Sequence, residues 1–499
     1  MKKYESIYHD LLALIENNKI KAGEKLPSEF DLQNKYQASR DTIRKALLLL
    51  SQNGYIQKSQ GKGSIVLDIN RFNFPVSGLT SFKEIASDIK GKVETIVHTC
   101  ECIEPDEEIK KLLMLKSGTK VWYIERVRKK YRAFWMEKGV KGFRFDVINL
   151  ISKAGFEDDF SVDGDGRSFY TDGPRIHEFL QELARDSFAK DKDIITVGEM
   201  SSTTMENCYK YAGEKTGELS MVFTFHHLKV DFMGNEKWVL VPTDFMKLKQ
   251  LIFDWQINME KNNAWNAVFW CNHDQPRVIS RFGSDDKYHK ESGKMLATLI
   301  HCLRGTPYIY QGEEIGMTNP HFKSIEQYRD VESLNHYQIL QDKGMTKEQA
   351  LMILDVHSRD NSRTPMQWDD SINAGFTTGT PWIQTADNYT EINVKNSLED
   401  KDSIFYYYQK LIQLRKNYNV IAYGDIKPLL REDKRVFAYE RNYKGQKLIV
   451  ICNFYPTTYE IELPYDLSNY KCILNNYKNE AKAKKIALKP YETLVYCNL

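Results

Sequence analysis

The sequence lacks the features of a membrane or exported protein. No apolar run approaches the length needed to cross a bilayer. The opening MKKYESIYHDLL is basic but has no apolar core of a secretory leader. These absences lead us to expect a cytoplasmic protein. A cysteine framework is also missing. Eight cysteines are scattered through 499 residues. Cys100 and Cys102 stand too close in an extended segment to read as a zinc pair, and no CxxC accompanies them. Reduced thiols are expected. Charge of one sign is absent too. With 70 basic and 68 acidic residues the net charge is +2, so any basic surface has to be local. Asp163-x-Asp165, in SVDGDGRSFYTDG, invites a calcium ion but lacks the spacing and distal Glu of a calcium loop. No metal and no cofactor are expected. Aromatics are plentiful at 12 %, which suits sugar stacking and suits an AT-rich genome equally well.

The length is enough for two or three cores. In residues 4–18, Ile7, Leu11, Leu12 and Ile15 fall on one helical face. Ser28-x-x-Asp31 is a capping-box start for a second helix, and Ser39 caps a third in SRDTIRKALLLLSQNG, which ends at Gly54. YIQKSQGKGSIV then reads as two short strands about a Gly-Lys-Gly tip. This is the order of a winged helix, an α+β module over residues 1–68. The N-terminal turn of its recognition helix, with Arg40, Thr42, Arg44 and Lys45, would face the major groove. Gln60, Gly61, Lys62 and Gly63 would form a wing tip able to approach phosphates. Asp41 argues mildly against that placement, and a small helical domain with solvated charges is the alternative.

LPSEFDLQNKYQASRDTIRKALLLLSQNGYIQKSQGKGSIV resembles the GntR class of bacterial repressors. FNFPVSGLTSFKEIA, and the sequence onward to about Arg128, resembles the trehalose-operon repressors of that class. The resemblance implies operator DNA as a partner. It makes residues 69–130 the opening part of an effector-binding and dimerising domain. That domain is cut short here, which leaves dimerisation without its usual source.

Near residues 129–133 the pattern changes. GFRFD (142–146), DIITVGE (193–199), ELSMVF (218–223), NAVFWCNHD (266–274) and TPYIYQGEE (306–314) are strand candidates. A helix with Pro174 in its first turn lies among them. Alternation of strands and helices means a parallel sheet. Arg144 and Asp146 point to one side of a strand, Glu199 ends the next, and His273 and Asp274 end a later one. A (β/α) barrel forms its active site at that face. Cleavage of an acetal with retention needs two carboxyl groups roughly 5 Å apart, and an Arg beside the nucleophile keeps it ionised. A strand may end in Asp or Glu for no catalytic reason; three such ends with a paired Arg and His carry more weight. After about residue 421, short alternating strands read as a small antiparallel β-sandwich, 421–499.

GFRFDVIN, VGEM, NHDQPR and RDNSRTPMQW, in that order, resemble the α-amylase family of glycoside hydrolases, in its trehalose-6-phosphate hydrolase and oligo-1,6-glucosidase group. The likeness covers about residues 130–499. It implies Asp146 as nucleophile, Glu199 as general acid/base and Asp274 as a third carboxylate gripping sugar hydroxyls. Arg144 would orient Asp146, and His273 would bind the same sugar. Trehalose 6-phosphate or a related α-glucoside is the implied substrate. His226, His227 and Lys229 follow a strand, and Lys229 is the candidate for a phosphate contact, against an ordinary solvated loop.

In that family the nucleophile lies on the fourth strand, so 131–420 would be an incomplete TIM barrel, about strands 4–8. The expectation is a hybrid of repressor and retaining α-glucosidase with hydrolysis impaired. Two alternatives stay open. One is a non-functional product of an in-frame gene fusion or an assembly error. The other is an active α,α-phosphotrehalase or oligo-1,6-glucosidase.

Overall fold

The computed structural model describes residues 3–16, 19–21, 24–52, 55–59, 63–66, 95–105, 110, 120–128, 139–153, 167–188, 193–478 and 483–498. It divides into two compact units, Met1–Lys138 and Gly139–Leu499.

In the first unit, helices α1 (Lys3–Glu16), α2 (Glu29–Tyr36) and α3 (Arg40–Gln52) precede a hairpin of β1 (Ile56–Ser59) and β2 (Gly63–Val66). The capping box at Ser28 is formed: its amide donates to Asp31 Oδ2 at 3.1 Å and its Oγ accepts from the Asp31 amide at 3.2 Å. Ser39 Oγ accepts from the Thr42 amide at 3.3 Å. Ile7, Leu11 and Ile15 on α1 meet Leu32, Ile43, Leu47 and Leu50 in one core, with Leu12 partly buried against it. Residues 24–26 add a third extended segment to the hairpin, where the Leu26 amide donates to Ser64 O at 2.8 Å and the Val66 amide to Glu24 O at 2.8 Å. Further on, β3 (Thr95–Ile103) and β4 (Val121–Arg128) pair antiparallel.

The second unit begins with parallel strands β5 (Gly142–Phe145), β6 (Ile195–Met200) and β7 (Met221–Thr224), hydrogen-bonded in that order. β8 (Ala267–Val268) and β9 (Thr306–Pro307) form a parallel pair. A parallel bridge between Val222 and Asn266 continues β7 into the β8 side. The five strand candidates are therefore five neighbouring strand positions. Among the described residues β5 is bonded to β6 alone and β9 to β8 alone. The strands are shorter than their apolar runs. NAVFWCNHD contributes two strand residues, so His273 and Asp274 lie in the turn beyond β8 rather than at its end. The helix after β5 is Ile176–Ser187, which places Pro174 just ahead of it, not in its first turn. Helices Phe245–Lys261 and His289–His301 supply Phe253, Met295 and Leu299 to the main core.

At the C-terminus, a five-stranded antiparallel sheet has the order β10-β11-β12-β16-β14, and β13 pairs with β15. The ranges are Lys427–Leu429, Val436–Tyr443, Gln446–Asn453, Tyr459–Glu462, Lys471–Asn475, Lys485–Leu488 and Thr493–Cys497 for β10 to β16. β11 and β12 are buried on both faces. One face packs Ala438, Ile449 and Ile451 against Ile461 and Ile486 of the small sheet. The other sends Phe437, Tyr439 and Val450 into the core of the strand-and-helix region. Arg441, fully buried, donates to Asp425 O at 2.7 Å and Gly424 O at 2.6 Å.

Candidate functional site

Two strand ends converge on one group of charges. Arg144 on β5 hydrogen-bonds Asp146 and forms an ion pair with Glu199 on β6. Phe145 pairs in register with Gly198, so Asp146 and Glu199, the next residues along, fall beside one another. A guanidinium between two carboxylates offsets their mutual repulsion. Glu199 has a side chain 14 % exposed, while that of Asp146 is 75 % exposed.

The loops that carry these carboxylates are tied together. Val147, directly after Asp146, is β-branched and sits at φ 38°, a left-handed conformation such residues rarely adopt and a form of strain found at functional sites. Two residues on, Asn149 is fully buried. Its Nδ2 donates to Ser201 O at 2.8 Å and its Oδ1 accepts from the Ser201 amide at 2.9 Å. That double bond joins the turn after β5 to the turn after β6. Asp172 accepts from Thr203 Oγ1 at 2.6 Å and Asn207 Nδ2 at 3.2 Å, which extends the tie.

Asp274 is held differently. Arg363 Nη2 donates to Asp274 Oδ1 at 2.5 Å, and its Nε donates to His273 O at 2.8 Å. Arg359 approaches the same carboxylate at 3.7 Å. Both arginines also contact the buried Asp330, at 3.3 and 3.4 Å. His273 Nε2 lies 3.5 Å from Asp274 Oδ2. Arg359, Arg363 and Asp330 were not among the sequence candidates. The signal was present, since RDNSR sets two arginines four residues apart in a motif already singled out.

The turn after β7 is only partly available to a ligand. His227 is partly buried, and its Nε2 meets Phe269 O at 2.9 Å. His226 packs on Trp255 with ring centroids 5.0 Å apart. Burial pushes both imidazoles down to about 4, with the Lys229 charge adding to the effect at His226. Neither offers a charged donor near neutral pH. Lys229, half-buried, closes the short turn His226–Leu228.

In the first unit, Arg40 and Arg44 project from the start of α3 with side chains 64 % and 53 % exposed, and both contact Glu29 of α2, at 3.2 and 3.1 Å. Burial pushes the Glu29 carboxyl up, but these two guanidiniums outweigh it and hold it below its ordinary value. Thr42 shares a hydroxyl contact of 2.8 Å with Ser39, and Lys45 is exposed. Gln60, Gly61 and Lys62 lie outside the described residues, and Gly63 begins β2. Asp163 and Asp165 lie outside them as well. Among the described residues no cluster of His, Cys, Asp or Glu could hold a metal ion, and no helix is long and apolar enough to cross a membrane.

Residues 119–424 match the α-amylase catalytic domain. The chain belongs to the α-amylase family. In this family member, residues 436–495 match the α-amylase SusG C-terminal domain, and residues 3–66 match the GntR family of bacterial regulatory proteins. A GntR domain thus precedes the α-amylase catalytic domain. The catalytic match starts ahead of β4, a strand that pairs within the first unit. The trehalose-6-phosphate hydrolase of Bacillus subtilis is 52 % identical over 75 % of this chain and 68 % of its own length. An oligo-1,6-glucosidase of Halalkalibacterium halodurans is 46 % identical over 75 % of this chain and 69 % of its own. Among solved structures, the Bacillus licheniformis trehalose-6-phosphate hydrolase aligns with a TM-score of 0.69 at 53 % identity, covering 73 % of this chain and 66 % of that one. The chain therefore spans about two thirds of the length of these relatives.

Proposed function

We propose that this chain joins a winged-helix operator-binding module to the later part of a retaining α-glucosidase barrel. Asp146 is the nucleophile, Glu199 the general acid/base and Asp274 the third carboxylate. The observation that carries the reading is the Arg144 guanidinium shared by Asp146 and Glu199 at the ends of neighbouring strands. Neighbouring strands lie roughly 4.8 Å apart, close to the ~5–5.5 Å carboxyl separation that retention requires. Glu199 would protonate the glycosidic oxygen while Asp146 attacks the anomeric carbon. Glu199, now a carboxylate, would then take a proton from the water that releases glucose. Asp274, clasped by Arg363 and Arg359, would grip hydroxyls of the same sugar together with His273. The relatives named for trehalose 6-phosphate favour that substrate, and Lys229 would meet its phosphate.

Hydrolysis by this chain is impaired. The nucleophile is open to water, whereas closing an active site strengthens its electrostatics. A misplacement of about 1 Å can cost about a hundredfold in rate. Glucose release from trehalose 6-phosphate by the full chain should therefore be absent, or at least about a hundredfold below that of the Bacillus subtilis enzyme assayed alongside. Comparable turnover would refute the impairment.

The DNA reading rests on the exposed Arg40, Arg44 and Lys45 at the start of α3. A module without a dimerising partner makes few phosphate contacts, so operator binding should be weak and fall steeply with salt. A gel shift at nanomolar concentration that survives moderate salt would contradict it.

A further inference from the structure

We propose that the open sheet of the second unit is a docking surface for a polypeptide of three β/α units, received in trans between the β5 edge and the β9 edge. The strand count motivates this. A closed barrel of this type has eight strands, and among the described residues five neighbouring positions are seen. About a third of the relatives' length has no counterpart in the match. The proposal rests on the glycosidase reading for what a completed barrel would catalyse, not for whether it assembles.

The β9 side shows what such an occupant would cover. Directly after β9, a groove of about 450 Å³ is lined by Ile309, Gln311, Glu314, Phe405, Tyr408 and Ile412. Ile309 is 37 % exposed and Ile412 39 %, so both present apolar surface to this hollow. Two carboxyls lie at or behind this groove. Glu313 is buried and accepts from Tyr408 Oη at 2.7 Å through Oε1. Its Oε2, and Oε2 of Glu314, are buried with no hydrogen-bond donor among the described residues. Burial pushes the Glu313 carboxyl up to about 7, and Glu314 beside it adds to the effect. Buried acceptors left without donors are costly. An incoming strand offers backbone N–H and C=O groups along its edge to pair with β9, which among the described residues is bonded to β8 alone. Exposed apolar lining beside a β9 edge bonded on one side thus fits a strand-bearing partner with apolar side chains.

A second copy is the competing occupant. The β5 edge of one chain against the β9 edge of another would be a head-to-tail contact that need not close, and would give filaments. The three-unit polypeptide instead satisfies both edges at once.

The test mixes the full chain with a recombinant polypeptide comprising the first three β/α units of the Bacillus subtilis trehalose-6-phosphate hydrolase. Sedimentation velocity and titration calorimetry should find a 1:1 complex with Kd at or below about 1 µM. Ile412→Glu should weaken it at least tenfold. Met352→Glu should leave it unchanged, since Met352 is exposed on helix Lys347–His357, which packs in a separate cluster. No complex at roughly a hundred times that concentration, or binding indifferent to Ile412→Glu, overturns the proposal. So does growth of the chain alone into polymers that exclude the added polypeptide. Amide exchange gives a readout that needs no variant: slowing at both Gly142–Phe145 and Thr306–Ile309 on adding the polypeptide supports docking, and unchanged exchange overturns it. Glucose release by the complex is scored separately. A complex that forms but does not hydrolyse trehalose 6-phosphate supports docking and counts against the catalytic assignment of Asp146 and Glu199.

Discussion

Asp146 directly follows one parallel strand and Asp274 lies in the turn beyond another, and their surroundings differ. Asp274 is 35 % exposed and held by Arg363 and Arg359, with the buried Asp330 behind them. Asp146 is 75 % exposed and held by Arg144, which belongs to its own strand. The carboxylate beyond β8 is clasped by arginines from later in the chain. Among the described residues, the strand ahead of Asp146 is bonded on one side only, to β6. A strand end is a local property of the sequence, whereas enclosure is contributed by elements far away in it. That is why a site can keep its reactive groups and lose its walls.

Removing one arginine from each side should expose that difference. On the enclosed side, Arg281 and Asp231 are a buried ion pair at 2.6 Å, with side chains 3 % and 6 % exposed. Arg281→Met strands the Asp231 charge and should cost about 3–5 kcal/mol, read as a lowered urea midpoint. Next in size is Asn149→Ala. It removes both bonds to Ser201 and leaves buried backbone groups unpaired, for about 2 kcal/mol and faster amide exchange at Ser201.

Histidine protonation makes a third contrast. His321 lies between Asp285 at 3.1 Å and Asp355 at 3.0 Å. Hydrogen bonds to these carboxylates, Asp285 first, raise its pKa to about 10. A raised folded-state pKa contributes stability that is complete below the unfolded value near 6.5 and is lost as pH rises through about 10. With the ring 43 % exposed, the effect should be about 1 kcal/mol. His227, His301 and His357 are pushed down to about 4 by burial. Their contribution is present above about 6.5 and fades as pH falls through 4. NMR titration should find His321 still protonated at pH 8 and the other three neutral at pH 6. The smallest effect belongs to the open side: Arg144→Met, in an exposed cluster, should shift stability by less than about 1 kcal/mol.

Much of this was legible in the sequence, for identifiable reasons. The capping box at Ser28, the Ser39 cap and the α1 stripe are local rules, and each is formed. The five parallel strands were visible as apolar runs, and Arg144, Asp146 and Glu199 as a cluster, because period and strand ends are short-range features. Strand lengths were not legible. Trp270 and Cys271 are as apolar as strand residues, yet they pack into the main core beyond β8. The fate of His227 was hidden because its partner, Phe269 O, lies 42 positions away. Lys485–Leu488 carries little strand signal, since KIAL is short and ends a lysine-rich stretch. The arginines on Asp274 come from a loop about 90 residues on, a proximity that only the fold creates.

Among the described residues β5 is an edge and β7 an interior strand. Native-state hydrogen exchange compares them directly in the full chain. The outward-facing amides of Gly142–Phe145 should exchange at least a hundredfold faster than those of Met221–Thr224. Equal, strong protection of both strands would mean that β5 has a partner on its open side, and would contradict the account.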